Sequence, residues 1–229
     1  MLYKVRANMC SKFTFYSFID FKSFWNMYLV SHKILSYNNF MKSIEFYYDF
    51  GSPTAYLAWT QIEKADVKKF NIEYRPVLLG GIFKATDNKP PGTVKAKADW
   101  MFEDIKMYAN SYDVSFAMNS AFPVNTLYLM RGAIFAKRKG ILKDYNKAMF
   151  SAMWINNINL NEPKNIINVL ESNNFDSKEF LEAAENSDIK EELKANTSQA
   201  VSKGLFGVPS FIVDGKLFFG QDRMQWFLN

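Results

Sequence analysis

Cysteine and histidine each occur once in this 229-residue sequence, as Cys10 and His32, and both fall within the first 40 residues. Residues 41–229 contain neither. That double absence removes thiolate nucleophiles, serine–histidine triads, imidazole bases and Cys/His zinc sites from the main body, so chemistry there must come from a hydroxyl, a carboxylate, a lysine or a bound cofactor. A strong charge of one sign is lacking too. The formal net charge is +5, but Lys4, Arg6, Lys12, Lys22 and Lys33 stand against the lone acid Asp20 in residues 1–40, which leaves only +1 for residues 41–229. The basic balance belongs to the leading segment and makes no case for nucleic acid. Long apolar runs are missing as well. The most apolar stretch, FTFYSFIDFKSFWNMYLV, is broken by Asp20 and Lys22, whereas a membrane-crossing helix needs about 20 largely apolar residues. Neither a membrane span nor a secretory signal is expected.

What is present suffices for a core, with an apolar fraction of 48%. Residues 1–40 read as a leader, and translation is expected to start at Met41, where MKSIEFYYDF opens directly into an alternating strand. Periodicity predicts a strand over 43–49, a helix over 53–69 and a strand over 72–78, a βαβ unit closed by LLGG. Residues 84–203 carry apolar positions three to four apart with polar breaks, and read as mostly helical. GVPSFIVDGKLFFG then reads as a β-hairpin turning at Asp214-Gly215, and a last helix is expected after GQDR. This order of parts predicts an α/β chain with a thioredoxin-like fold and a large helical domain inserted between the βαβ unit and the C-terminal β-hairpin. The implied division gives 41–83 and 204–229 to the thioredoxin-like domain and 84–203 to the helical one.

Two turns stand out chemically. In YYDFGSPTAYLAW, Ser52-Pro53-Thr54-Ala55 occupies the strand-to-helix turn where a redox turn carries Cys-Pro-x-Cys. Ser followed by Pro is also a common way to start a helix, with Ser capping free N–H groups and Pro pre-set for the first turn. The same geometry puts a hydroxyl at the positive end of a helix, where it can hydrogen-bond a thiolate supplied by another molecule. In FGVPSFIVDG, Val208-Pro209 precedes a strand. It reads either as an ordinary X-Pro turn or as the cis-proline loop that offers backbone groups to a ligand in thioredoxin-like folds.

The segments FYYDFGSPTAYLA, DNKPPGTVKAKADWMFEDI, FPVNTL, AMW, FGVPSFIVDG and FGQDRM resemble, in order and spacing, the kappa-class glutathione transferases and the related 2-hydroxychromene-2-carboxylate isomerases. The resemblance spans essentially all of 41–229 and none of the leader. It implies glutathione as the cofactor, with Ser52 as the catalytic hydrogen-bond donor to its sulfur and Pro53 and Thr54 in the same binding turn. Asn88 matches a glutathione contact, Val208 before Pro209 matches the residue that pairs with the cysteinyl backbone, and Gln221 and Asp222 match the pair that holds the γ-glutamyl end. With Ala55 at the second cysteine position, no internal disulfide can form, so the turn borrows its sulfur.

For the second substrate, KADWMFED resembles KGxYMxxD of the family and brings forward Lys97, Trp100 and Asp104; Asn125 is a further pocket candidate. Lys95 and Lys97 read either as cations that steer a carboxylate or, more commonly for a lysine pair at a helix start, as a solvated face; Trp154 reads as pocket or core, and Arg223 as an ion-pair partner near the QD pair. The resemblance implies a glutathione-dependent isomerase acting on an aromatic-derived, carboxylated electrophile, soluble in the cytoplasm and homodimeric, with no metal. A kappa-type transferase and a redox-dead thioredoxin-fold binding protein remain the competing readings.

Overall fold

The structure is a computed structural model describing residues 42–66 and 69–228. The leader, Cys10, His32 and the start at Met41 lie outside the described residues.

Strand β1 (Lys42–Tyr48) runs through a short turn into helix α1 (Pro53–Lys64), and β2 (Phe70–Pro76) follows. Helices α2 (Leu79–Thr86), α3 (Lys95–Ser111), α4 (Leu127–Arg138), α5 (Leu142–Trp154), α6 (Pro163–Ser172), α7 (Ser177–Glu185) and α8 (Ser187–Ser202) intervene before the hairpin β3 (Ser210–Val213) and β4 (Lys216–Phe219). The sheet order is β2-β1-β3-β4. β1 and β2 pair in parallel from Lys42↔Phe70 to Tyr48↔Pro76, while β3 is antiparallel to both β1 and β4. This is the thioredoxin-like arrangement expected, with helices between β2 and the hairpin. The hairpin turns where expected, Asp214 and Gly215 both having positive φ (49° and 77°), the pair of left-handed residues a two-residue turn requires.

Several boundaries differ from the periodicity reading, β1 running over 42–48 and β2 ending at 76. Helix α1 ends at Lys64 rather than 69, because Ala65 goes extended (φ −68°, ψ 148°) while its N–H donates back to Ile62 O. β2 accordingly starts at Phe70 rather than 72. The last helix is a 3-10 helix over Gln221–Trp226, beginning within GQDR rather than after it, and it is entered through Gly220 at φ 98°.

β1 divides the interior by simple alternation, since successive side chains point to opposite faces of a sheet. Ile44, Phe46 and Tyr48 enter the larger core, where Phe46 stacks on Tyr48 and on Phe211 with ring centroids 5.2 Å apart in both pairs. Tyr48 is anchored at its far end, its hydroxyl donating to Asn146 Oδ1 of α5 at 2.7 Å. Tyr47 enters a smaller core with Val77, Ile82, Ala200, Leu205 and Val208, so α2 and α8 cover that side. Close helix approach inside the larger core depends on Gly132. A Cβ there would lie 2.2 Å from the Tyr145 hydroxyl, which is itself held by donating to Leu129 O at 2.9 Å.

Candidate active site

Ser52 caps α1 in an extended conformation, φ −102° and ψ 114°. Its Oγ accepts from Ala55 N at 3.1 Å, satisfying one of the free N–H groups at the helix start. The same hydroxyl donates to Val208 O at 3.2 Å and lies 3.0 Å from Thr54 Oγ1. With one proton shared between these directions, Thr54 donates to Ser52 when Ser52 donates to Val208 O. The side chain is buried, and Pro53 fills the first helical position beneath it. The cap reading and the functional reading are therefore the same geometry.

The Val208-Pro209 peptide bond is cis, as is Phe122-Pro123, which sequence alone did not mark. Pro209 O accepts from Gly220 N at 3.0 Å, which ties the proline loop to the start of the 221–226 turn. Gln221 is buried, and its carbonyl accepts from the Tyr112 hydroxyl at 3.3 Å. Asp222 pairs with Arg223. Asn88 reaches the same loop from the other side, Nδ2 donating to Phe206 O at 2.8 Å. Ser52, Pro53, Thr54, Asn88, Val208, Pro209, Gln221 and Asp222 thus belong to segments joined by direct hydrogen bonds.

Of the pocket candidates, Lys97, Trp100 and Asn125 take no part in those hydrogen bonds, whereas Asp104 lies in electrostatic reach of Asp222. Lys97 and Trp100 lie on the exposed side of α3, Trp100 being 66% accessible. Lys95 is paired with Asp99 at 2.6 Å, which is the solvated-face reading. Asn125 Oδ1 accepts from Leu127 N at 3.1 Å at the start of α4. Trp154 is core: it is fully buried, and Nε1 donates to Phe50 O at 2.9 Å. Burial raises the Asp104 carboxyl above its ordinary range, and the charge of Asp222 raises it further. Burial likewise pushes the Tyr112 phenol up to about 12, with Tyr108, Asp222 and Asp104 adding to the effect. Asp104 of α3 and the Asp222–Arg223 pair of the 221–226 turn therefore lie within electrostatic reach of one another.

Sequence reasoning missed Asp49. Its carboxylate is buried three residues before Ser52 and accepts from Gly51 N at 2.8 Å, from Thr126 Oγ1 at 2.7 Å and from Leu79 N at 2.7 Å. Burial raises its pKa while these three donors pull it down. One side chain thereby clamps the Ser52 turn to the first residue of α2 and to the entry of α4. Gly51 completes the fit, since a Cβ there would sit 3.2 Å from Thr126 Cγ2. The only hint in the sequence is an acid between an apolar strand and a Gly-Ser-Pro turn, and its partners lie 30 and 77 positions away.

Among the described residues no group of three or more His, Cys, Asp or Glu could hold a metal ion, and no helix is long and apolar enough to cross a membrane.

The sheet order and the cis-proline loop beside the start of α1 are those of a thioredoxin-like fold, and the model of the DSBA-like thioredoxin domain identifies its family. That family model matches residues 43–229, and the chain belongs to the family. Within it, the chain resembles two groups of enzymes. It is 27% identical over 203 residues to glutathione S-transferase kappa 1 of Homo sapiens, covering 80% of this chain and 88% of that protein. It is 26% identical over 190 residues to 2-hydroxychromene-2-carboxylate isomerase of Sphingobium xenophagum, covering 81% and 95%. A solved 2-hydroxychromene-2-carboxylate isomerase superposes with a TM-score of 0.73 at 23% identity over 80% of this chain and 91% of that one. A probable DsbA oxidoreductase from Streptomyces coelicolor gives 0.61 at 16% identity over 79% and 84%, a likeness of fold.

Proposed function

We propose that this chain is a glutathione-dependent isomerase of the 2-hydroxychromene-2-carboxylate type, acting on an unsaturated, aromatic-derived, carboxylated electrophile. The observation that carries the reading is the Ser52 hydroxyl, held at the first turn of α1 and 3.2 Å from the Val208 carbonyl, in a turn without a thiol of its own. A hydroxyl so placed is preorganised to donate to a sulfur anion, and the helix start favours the same charge by about 0.3–1 kcal/mol.

The remaining residues fit a tripeptide thiol. Val208 and the cis Pro209 offer backbone to an extended peptide, as in strand addition. The Asp222 and Asp104 neighbourhood suits an ammonium group such as that of a γ-glutamyl residue. Asn88 adds an amide beside Phe206. Glutathione, when bound, supplies a sulfur nucleophile that can add to a polarised double bond and depart again, giving net isomerisation, whereas release with sulfur attached is the transferase outcome. Ser52 needs to turn its proton from Val208 O toward the sulfur, and the thiol proton leaves to solvent, so no general base is required. The reading includes a reducing compartment such as the cytoplasm, where the thiol form prevails. It also includes a homodimer, for which the exposed Trp100 and Met107 of α3 offer apolar contact.

Calorimetry of glutathione binding to the full chain, from about pH 6 to 9, tests this across the range in which a thiol of ordinary pKa near 8.5 ionises. The parent should bind with proton release, and Ser52→Ala should bind with less of it. No binding by a folded sample removes the glutathione reading; equal proton release in both proteins removes Ser52 from its role.

A further inference from the structure

A groove of about 400 Å³ runs between α2, α4 and α8, within the size range of small-molecule sites. Its walls come from those three helices and their approaches rather than from the Ser52 turn or the proline loop. Leu78, Leu127 and Leu193 give it an apolar lining. Arg131, Lys190 and Lys194 face one acid of the lining, Glu191.

The cations are unequally engaged. Lys190 is held by Glu185 at 2.6 Å, while Lys194 is 3.4 Å from Glu191, long for a charge-assisted bond. Arg131 is fixed from two sides, Nη1 donating to Ala184 O at 3.1 Å and the guanidinium lying 5.7 Å from the centre of the Tyr128 ring, and Glu185, the partner of Lys190, is within electrostatic reach of it. Its Nε is buried with no hydrogen-bond partner among the described residues. That nitrogen is closed off from the groove, but Arg131 still lines it, and a planar guanidinium matches a carboxylate. The apolar lining disfavours a fully hydrated anion such as inorganic phosphate and favours one with an apolar body.

We infer that this groove is a second ligand site, taking a small amphipathic carboxylate with a ring-sized apolar body, its carboxylate on Arg131 and Lys194. The site is separate from the Ser52 turn and does not depend on the glutathione reading. It lies close by in the chain, however, because Leu78 and Leu127 adjoin Leu79 and Thr126, the two residues that donate to Asp49.

Calorimetry on the full chain with 2-naphthoate as the probe and 2-naphthamide as its uncharged counterpart tests the assignment. Naphthoate should bind about tenfold more tightly than naphthamide, the discrimination expected of a desolvated guanidinium. Arg131→Met should erase that preference. Lys194→Glu, at an exposed position, should weaken naphthoate alone, and Ser198→Trp, also exposed, should block both probes by filling the groove. Ser52→Ala should leave naphthoate binding within about twofold, since the two sites share no residue. Equal affinity for the two probes, no binding of either, or unchanged binding in both Lys194→Glu and Ser198→Trp overturns the inference. Loss of naphthoate binding in Ser52→Ala does so too, by moving the probe to the turn. If Arg131→Met fails to fold, the two exposed variants decide.

Discussion

The two faces of β1 are built on different physics. Toward α1 and α5 the strand presents Ile44, Phe46 and Tyr48, all essentially inaccessible, and the Tyr48 ring makes edge and tilted contacts that reach Phe50 and Phe150. Toward α8 it presents Tyr47 and Glu45, and here charge joins packing. Glu45 accepts from Lys203 at 2.7 Å and from the Tyr47 hydroxyl, with Arg75 at 3.8 Å. Lys203 also lies 5.7 Å from the centre of the Tyr47 ring, and it heads the loop that leads to Val208 and Pro209. One face supplies apolar stability insensitive to pH; the other ties the proline loop to the sheet through groups that titrate.

The largest effect should come from breaking the apolar face. Phe46→Ala removes a fully buried ring between Tyr48 and Phe211, and urea denaturation should show a loss of about 3–5 kcal/mol with little change between pH 5 and 8.

An intermediate effect is expected where β1 leaves the sheet. Three donors converge on the two oxygens of Asp49. In Asp49→Asn an NH₂ must face a backbone N–H or the Thr126 hydroxyl, and the loss should be about 1–3 kcal/mol at pH 7. Because the clamp positions Ser52, glutathione affinity should fall along with stability, whereas Phe46→Ala should lower stability with affinity kept in the folded fraction. Equal affinity in parent and Asp49→Asn would separate the clamp from the site.

The smallest effect sharpens the contrast between the faces. Burial alone would raise the Glu45 carboxyl, but Lys203, the Tyr47 hydroxyl and Arg75 outweigh it and hold the group below its ordinary 4.5. A depressed carboxyl stabilises the fold fully above that ordinary value, and the contribution disappears as pH falls through the lower folded-state value. Lys203 is raised above 10.5, its burial being outweighed by Glu45 and Tyr47, so its part holds at neutral pH and fades only as pH rises past that range. Glu45→Gln should therefore cost about 1 kcal/mol or less at pH 7 and nothing at acid pH, measured as a stability difference from the parent across the two conditions. A pH-independent difference would mean that packing, not charge, holds that face.

How much of this was legible depended on how local its cause is. The cap at Ser52, the Pro at the first helical position, the Asp214-Gly215 turn and the alternation of β1 are properties of a few neighbouring residues, and each stands as read. Boundaries failed where backbone geometry outran side-chain pattern. Apolar spacing continues past Lys64, yet Ala65 turns extended; and the last helix reads as starting after GQDR, yet it begins within GQDR as a 3-10 helix. Trp154 was ambiguous between pocket and core because helical spacing is the same for both.

By itself, then, the sequence determined the class of chemistry and the order of the parts. Removing cysteine and histidine from residues 41–229 is a statement about available functional groups and needs no coordinates, and strand and helix periods follow from short-range geometry. Tertiary structure alone decided which groups meet. Asp49 with Leu79 and Thr126, Ser52 with Val208, Asn88 with Phe206, and the cations of the groove between α2, α4 and α8 are juxtapositions across 30 to 156 positions of chain. They arise because burying the two faces of one sheet forces distant segments together, and no local propensity encodes which buried donor will end beside which acceptor.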